Sequence, residues 1–203
     1  SDSVTGIVTI MATQDNKQIT FAATASEFNA VAVQADDAIL VQVDITTDTG
    51  VMTLDGDYDN AADSSDKVAF SAARTLTAAG LMTLDSTNGG LVRSGSSSTL
   101  TLTAAAGITI NDNLSGTVTA QQLHIDADSG NDGSGTFTVA SGKSVSSNGG
   151  VLALTAGDVD FSGGVSSGTG LTVLTVTNSH TLGLGPSSGQ QFIVSDAELG
   201  SMT

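Results

Sequence analysis

Cysteine and tryptophan are absent from these 203 residues, and proline occurs once, at Pro186. Without cysteine there is neither a disulfide nor a thiolate metal site, and the compartment stays open between a reducing interior and a surface protein that does without disulfides. Aromatic residues make up 3% of the chain, so a core must be filled by Val, Leu, Ile and Ala, which suits thin, layered packing. Basic residues are also scarce. Lys17, Lys67, Arg74, Arg93 and Lys143 stand against 21 acidic residues, for a formal charge of -16. That balance repels phosphate backbones and anionic lipid, which excludes nucleic acid as a partner. There is no apolar run of about 18 residues and no basic-apolar-small leader, so neither membrane insertion nor an export signal is expected of this stretch. Disorder is excluded too, because Gly, Ser, Thr and Ala abound while proline and charge runs do not.

What is present is alternation with a period of two. Ile39, Val41, Val43 and Ile45 alternate with Leu40, Gln42 and Asp44; Leu100 and Leu102 alternate with Thr99, Thr101 and Thr103; Leu152 and Leu154 alternate with Val151, Ala153 and Thr155. Each reads as one half-buried strand. The same pattern predicts strands at 7–10, 19–21, 28–33, 67–70, 74–77, 108–110, 123–126, 136–139, 159–161, 171–177, 181–184 and 192–194, punctuated by Gly, Asn, Asp and Ser. One helical turn is expected, Ser195-Asp-Ala-Glu-Leu, capped by Ser195 or Asp196.

Internal repetition decides among all-β architectures. Val51-Met-Thr-Leu-Asp55 recurs as Leu81-Met-Thr-Leu-Asp85 at an offset of 30, and Leu100-Thr-Leu-Thr-Ala resembles Leu152-Ala-Leu-Thr-Ala at an offset of 52, the length of two coils. Hairpin turn signals are scarce, and Asn88-Gly89-Gly90 and Asn148-Gly149-Gly150 read as corners. A sandwich or barrel is therefore disfavoured. Self-similarity at this spacing predicts a solenoid of stacked parallel strands, with coils of about 25 residues, about eight turns and a length of about 40 Å. The expected fold is all-β: a right-handed parallel β-helix with irregular coils, continuous over 1–203 as a single unit and serving as one module of a longer tandem or fibre.

The runs Thr99-Leu-Thr-Leu-Thr-Ala-Ala-Ala-Gly-Ile-Thr-Ile and Gly150-Val-Leu-Ala-Leu-Thr-Ala-Gly-Asp-Val-Asp-Phe, with Leu182-Gly-Leu-Gly and Val194-Ser-Asp-Ala-Glu-Leu-Gly, resemble the filamentous-haemagglutinin-like β-solenoids of very large, repeat-containing surface proteins and adhesins. The resemblance covers most of the chain, and the longer acidic loops depart from it. It implies an extracellular, cell-surface module repeated in a filament. The rod's ends are strand edges, and neither Ser1 to Gly6 nor Ser195 to Thr203 offers more than weak protection. Head-to-tail contact with a neighbouring module or another copy follows as an expectation, with the surface or glycan ligand undefined.

Site chemistry centres on one loop. Asp55, Asp57 and Asp59 occupy positions 1, 3 and 5 of a twelve-residue frame, Asp63 position 9 and Asp66 position 12, which echoes the ligand spacing of a calcium loop. Asn60 stands where such a loop has glycine, and no helices flank it, so a Ca2+-binding corner is expected here and an EF-hand is not. A solvated acidic turn is the plainer alternative. Asp126, Asp128, Asn131 and Asp132 form a weaker second acidic corner, open to the same two readings. His124, between Leu123 and Ile125, is expected to face outward, and His180 lies far from it in sequence. Asn113-Leu-Ser115 is a glycosylation sequon, of consequence only in a eukaryotic secretory pathway.

Enzymatic function is not expected. Polysaccharide-acting β-helix enzymes are the nearest alternative, but the acidic pair Asp36-Asp37 has no basic companion motif and sugar-stacking aromatics are nearly missing. A third reading is an ice- or crystal-binding surface made of threonine ladders, suggested by Thr99, Thr101 and Thr103 and by Thr172, Thr175 and Thr177.

Overall fold

The computed structural model describes residues 4–62, 65–95, 99–178, 180–186 and 189–203. Alternating sequence becomes short strands, three to a coil. β1 (Ile7–Ala12), β2 (Gln18–Phe21) and β3 (Ser26–Phe28) make the first coil; β4 (Ala30–Ala35), β5 (Ala38–Val41) and β6 (Ile45–Thr47) make the second. The third holds β7 (Met52–Asp55), β8 (Lys67–Ser71) and β9 (Arg74–Ala78), and the fourth β10 (Met82–Asp85), β11 (Leu91–Ser94) and β12 (Leu100–Ala104). β13 (Ile108–Ile110), β14 (Leu114–Gly116) and β15 (Leu123–Asp126) follow, then β16 (Thr136–Val139), β17 (Ser144–Ser146) and β18 (Leu152–Ala156). The seventh coil is β19 (Asp158–Phe161), β20 (Gly164–Ser166) and β21 (Thr172–Val176), and the tail adds β22 (Leu182–Leu184), β23 (Phe192–Val194) and α1 (Asp196–Ser201).

The first strands of successive coils pair in parallel to form sheet A, the second strands sheet B and the third strands sheet C, seven strands each. This is a parallel β-solenoid. Seven coils leave six spacings of about 4.8 Å, a stack of about 29 Å. The tail lies beyond them. Along sheet A the repeat varies from 21 residues, Val31 to Met52, to 30, Met52 to Met82, because loops differ while strands keep register. The offset of 30 is one coil. The offset of 52 is two coils, through Leu100, Leu123 and Leu152.

Inward residues form continuous ladders. In sheet A, Leu54, Leu84, Ile110, Val139 and Phe161 stack in order, and Leu84 is fully buried. Burying such a side chain is worth about 2 kcal/mol. Sheet C narrows the interior with alanine, where Ala78 pairs with Ala104, and Thr47, inward in the same ladder, donates its hydroxyl to Gly50 O at 2.7 Å. Corners stack as closely as strands. A Cβ on Gly80 would lie 2.9 Å from Gly50 C, so only glycine lets these corners touch.

Three expectations change. Residues 39–45 are two strands on different sheets, joined by the corner 42–44, and 28–33 is likewise the end of β3 and the start of β4. Alternation runs through the first corner because Val43 still packs against the same thin core as Val41 and Ile45, whereas at the second the inward phase shifts by one residue, from Phe28 to Val31 and Val33. Most of sheet B lay beyond the pattern, because β14, β17 and β20 are three residues each and carry Ser and Gly. The C-terminal end is better covered than a bare turn. Ser195 caps α1 in a full capping box with Glu198, β23 lies beside β19, and Met202 pairs with Val165 of β20, with Thr203 N–H donating to Val165 O at 2.9 Å. β21 remains the outermost strand of sheet C among the described residues.

Candidate functional site

The corner between sheets A and B carries the longest acidic loop. The long loop leaves the third coil at Gly56 and returns at Lys67, and a Cβ on Gly56 would sit 2.5 Å from Lys67 O, so its two ends touch. Asp57 and Asp66 stand at this neck, 1% and 3% exposed. Both rest on the Ser86–Gly90 turn of the next coil: Asn88 donates its backbone N–H and its Nδ2 to Asp57 Oδ2 at 2.9 and 2.7 Å, and Ser86 Oγ donates to Asp66 O. Asp57 Oδ1 is buried and receives no hydrogen bond. Burial is the main reason its carboxyl holds a proton more tightly than usual; the charges of Asp66 and Asp59 act the same way, against the opposing bonds from Asn88.

The other members of the predicted set diverge. Asp55 faces outward on sheet A, paired in register with Asp85; burial raises its proton affinity most, and Asp85 adds to this. Asp59 is exposed and accepts from Ala61 N–H at 2.8 Å. Asn60 adopts φ +58, the left-handed conformation that a glycine would otherwise supply. Asp63 lies outside the described residues. Among the described residues no three carboxylates or imidazoles come together as a metal cluster. The loop brings together two buried carboxylates, Asp57 and Asp66, and spreads the rest.

Along the same corner, Asp36 accepts from Asn16 N–H at 2.8 Å, and Asp112 forms an ion pair with Lys143 Nζ at 2.8 Å. Asn113, the sequon residue, is exposed, and its Oδ1 accepts from Ser144 N–H at 2.9 Å.

The second acidic corner joins sheets C and A. Asp128 is 1% exposed and accepts from Gly133 N–H at 2.9 Å and Gly135 N–H at 3.3 Å, one on each oxygen. Asp132 is exposed, and bonds from Ser134 hold its carboxyl below the usual range. Asn131 Oδ1 accepts from Asn178 N–H at 3.0 Å, and Asp126 faces outward on β15, where burial raises its proton affinity. These side chains knit the loop. His124 faces outward in register between Thr101 and Ala153, while His180 Nδ1 lies 3.2 Å from Gly157 O, on a different part of the rod.

Outward threonines fall into ranks. On sheet A, Thr53, Thr83, Thr109 and Thr138 stack in four consecutive coils. On sheet C, Thr75 and Thr77 lie beside Thr101 and Thr103, and the second rank continues with Asp126, Thr155 and Thr175. Thr175 thus belongs with Thr103, whereas Thr172 pairs with the inward Leu152 and Thr177 is buried, its hydroxyl on Ala156 O.

Arg93 was not singled out by sequence, yet it is 1% exposed in an inward ladder between Phe70 and Gly116. Gly116 leaves room, since a Cβ there would lie 3.1 Å from Arg93 Nη2. The guanidinium donates to Gln121 O, Gln122 O and Ser146 O at 3.2, 3.1 and 2.7 Å. Burial pushes its pKa down to about 10, so it stays charged at neutral pH. Strict alternation in Leu91-Val-Arg93-Ser was the signal that could have placed it. Nearby, the corner between sheets B and C holds an open depression of about 340 Å³ lined by Thr119, Ser146, Asn148 and Thr169.

The fold is that of a parallel β-solenoid. No protein-family model matches the chain, and no curated protein or solved structure matches it.

Proposed function

We propose that this chain is a structural and adhesive module of an extracellular surface protein, of the filamentous-haemagglutinin-like kind, that joins its neighbours end to end. The supporting observation is the first coil. β1, β2 and β3 are the outermost strands of their sheets, and their inward side chains Val8, Ile10, Ile19 and Phe28 are only partly covered, where equivalent residues one coil on, such as Val31 and Ile39, are fully buried. Such an edge is a template for another coil, whether from an adjacent module or a second copy. At the other end the tail shields β19 and β20, so contact there falls to β21. No catalytic step belongs to this reading. Light scattering over rising concentration should show multiples of the chain mass, and Val8→Lys with Ile10→Lys should reduce them while the strand spectrum persists. A single-chain mass at every concentration would sink end-to-end stacking.

A second reading, recognition of a periodic solid such as ice or a crystal face, draws on the threonine ranks. Their hydroxyls repeat about every 4.8 Å along the rod and, where two ranks adjoin, about 6.6 Å across it. Inhibition of ice recrystallisation, lost in Thr83→Lys with Thr109→Lys, is the expected behaviour; unaltered crystal growth in the presence of the native protein removes this reading.

A further inference from the structure

Backbone groups of a strand point alternately to its two sides, so the residues of an edge strand that face the gap are fixed by those already bonded. In β1, Ala12 O accepts from Asp36 N–H of the second coil at 2.9 Å, and Val31, the neighbour of Val8, likewise sends its N–H onward to Val51 O at 3.0 Å. Val8, Ile10 and Ala12 therefore bond into the rod, and Ile7, Thr9 and Met11 turn their N–H and C=O groups to the open edge. Their side chains point outward, with Ile7 and Met11 53% and 52% exposed. Neither β1 nor β2 carries a charged side chain or a proline, the usual guards of an open edge. On a chain of net charge -16, two copies can meet along these strands without like charges facing each other.

The two ends of the rod do not match. At the far end β23 lies beside β19, with Ile193 N–H donating to Asp158 Oδ1 at 3.4 Å, and Met202 pairs with Val165. The tail thus adds a level to sheets A and B and none to sheet C, where β21 stays outermost among the described residues. At the near end β1, β2 and β3 all belong to one coil. A level end seated on a stepped one leaves a gap in sheet C, whereas two level ends close on each other. We propose that this chain joins a second copy head to head, β1 pairing antiparallel with β1 of the other copy about a two-fold axis through Thr9. Thr9 then faces Thr9, Ile7 faces Met11 and Val8 faces Ile10. In the first two pairs the free backbone groups meet, each pair exchanging two hydrogen bonds at a Cα separation of about 5.5 Å. Inward side chains face inward ones, so the partly covered Val8 and Ile10 gain the cover that Val31 and Val33 have from coils on both sides. The same axis sets β2 against β3 of the other copy, which encloses Ile19 and Phe28. A two-fold contact of this kind closes as a dimer and does not grow a fibre. It rests on the end-to-end joining proposed above and names which ends meet.

The chain has no cysteine, so one substitution gives one thiol. Thr9→Cys, at an exposed position, should form a disulfide-linked dimer under mild oxidation, because a Cα separation of about 5.5 Å is within reach of the bond. Thr53→Cys, two coils along the same outward rank, should not. Strand direction is read by mixing: Ile7→Cys chains should cross-link to Met11→Cys chains in preference to themselves. Thr9→Pro deletes an N–H that faces only the open edge, and should bring light scattering back from the dimer mass to that of one chain with the strand spectrum intact. A native chain of single mass at every concentration overturns this dimer together with end-to-end joining. Multiples of the chain mass in which Thr9→Cys fails to link, in which Ile7→Cys links to itself as readily as to Met11→Cys, or which survive Thr9→Pro leave end-to-end joining in place and overturn the head-to-head pairing.

Discussion

Arg93 donates from Nη2 to the backbone carbonyl of Ser146, two coils further along the rod, at 2.7 Å. With its bonds to Gln121 O and Gln122 O on the intervening coil, one side chain ties three successive coils together at the corner between sheets B and C. A buried cation with no carboxylate partner is costly in itself, yet removing it takes the side-chain donor from three backbone carbonyls at once. Arg93→Met, which keeps the length and removes the donors, should therefore destabilise by about 2 kcal/mol, read as an earlier urea midpoint. A midpoint at or above the native one means the charge cost more than the bonds returned.

Leu84 lies in the ladder between Leu54 and Ile110 with no exposed surface. Leu84→Ala should cost about 2 to 5 kcal/mol, and Leu84→Asp enough to unfold at least the neighbouring coils. Circular dichroism with amide exchange checks both, and native-like protection of Ile110 in the aspartate variant contradicts the ladder.

Acid should stabilise this protein before it harms it. Asp55, Asp57 and Asp126 hold their protons above the ordinary aspartate value of 3.8, with burial as the largest cause in each. A carboxyl whose folded pKa is raised contributes stability that is full below the unfolded pKa and lost as pH rises through the folded one. Relief of self-repulsion at net charge -16 acts in the same direction. Asp132 runs the opposite way but is fully exposed, where solvent screens it. The melting temperature should rise as pH falls from 7 towards about 4, and a steady decline over that range refutes the assignment.

The capping box makes the tail's hold on the last coil testable. Glu198 accepts from Ser195 N–H at 2.8 Å and Ser195 Oγ accepts from Glu198 N–H at 3.3 Å, just before Met202 and Thr203 cover β20. Ser195→Ala should cost about 1 kcal/mol locally and speed exchange of the Thr203 amide, which donates to Val165 O, while Leu102 in mid-rod exchanges as before. Equal acceleration at both amides means that the tail unfolds together with the rod.

By itself the sequence determined the repeat and its direction of packing. Leu54 and Leu84 are interchangeable in Met-Thr-Leu-Asp because each occupies the same rung, and period-two alternation follows from strand geometry before any contact forms. Ser195 announced its helical turn for the same local reason. Where coils turn was decided by tertiary structure. Alternation passes unbroken through Gln42 to Asp44, and Ser144–Ser146 becomes a strand only because Leu114 above Val145 and Val165 below hold it in register. The acidic loop shows the same division. Five aspartates at calcium-loop spacing were legible, but stacking against Asn88 and Ser86 of the next coil buried Asp57 and Asp66 and turned Asp55 outward. A one-dimensional spacing carries no record of which side chains the neighbouring coil will cover, and Arg93 points into the core for that reason too: the space above Gly116 exists only once the coils are stacked.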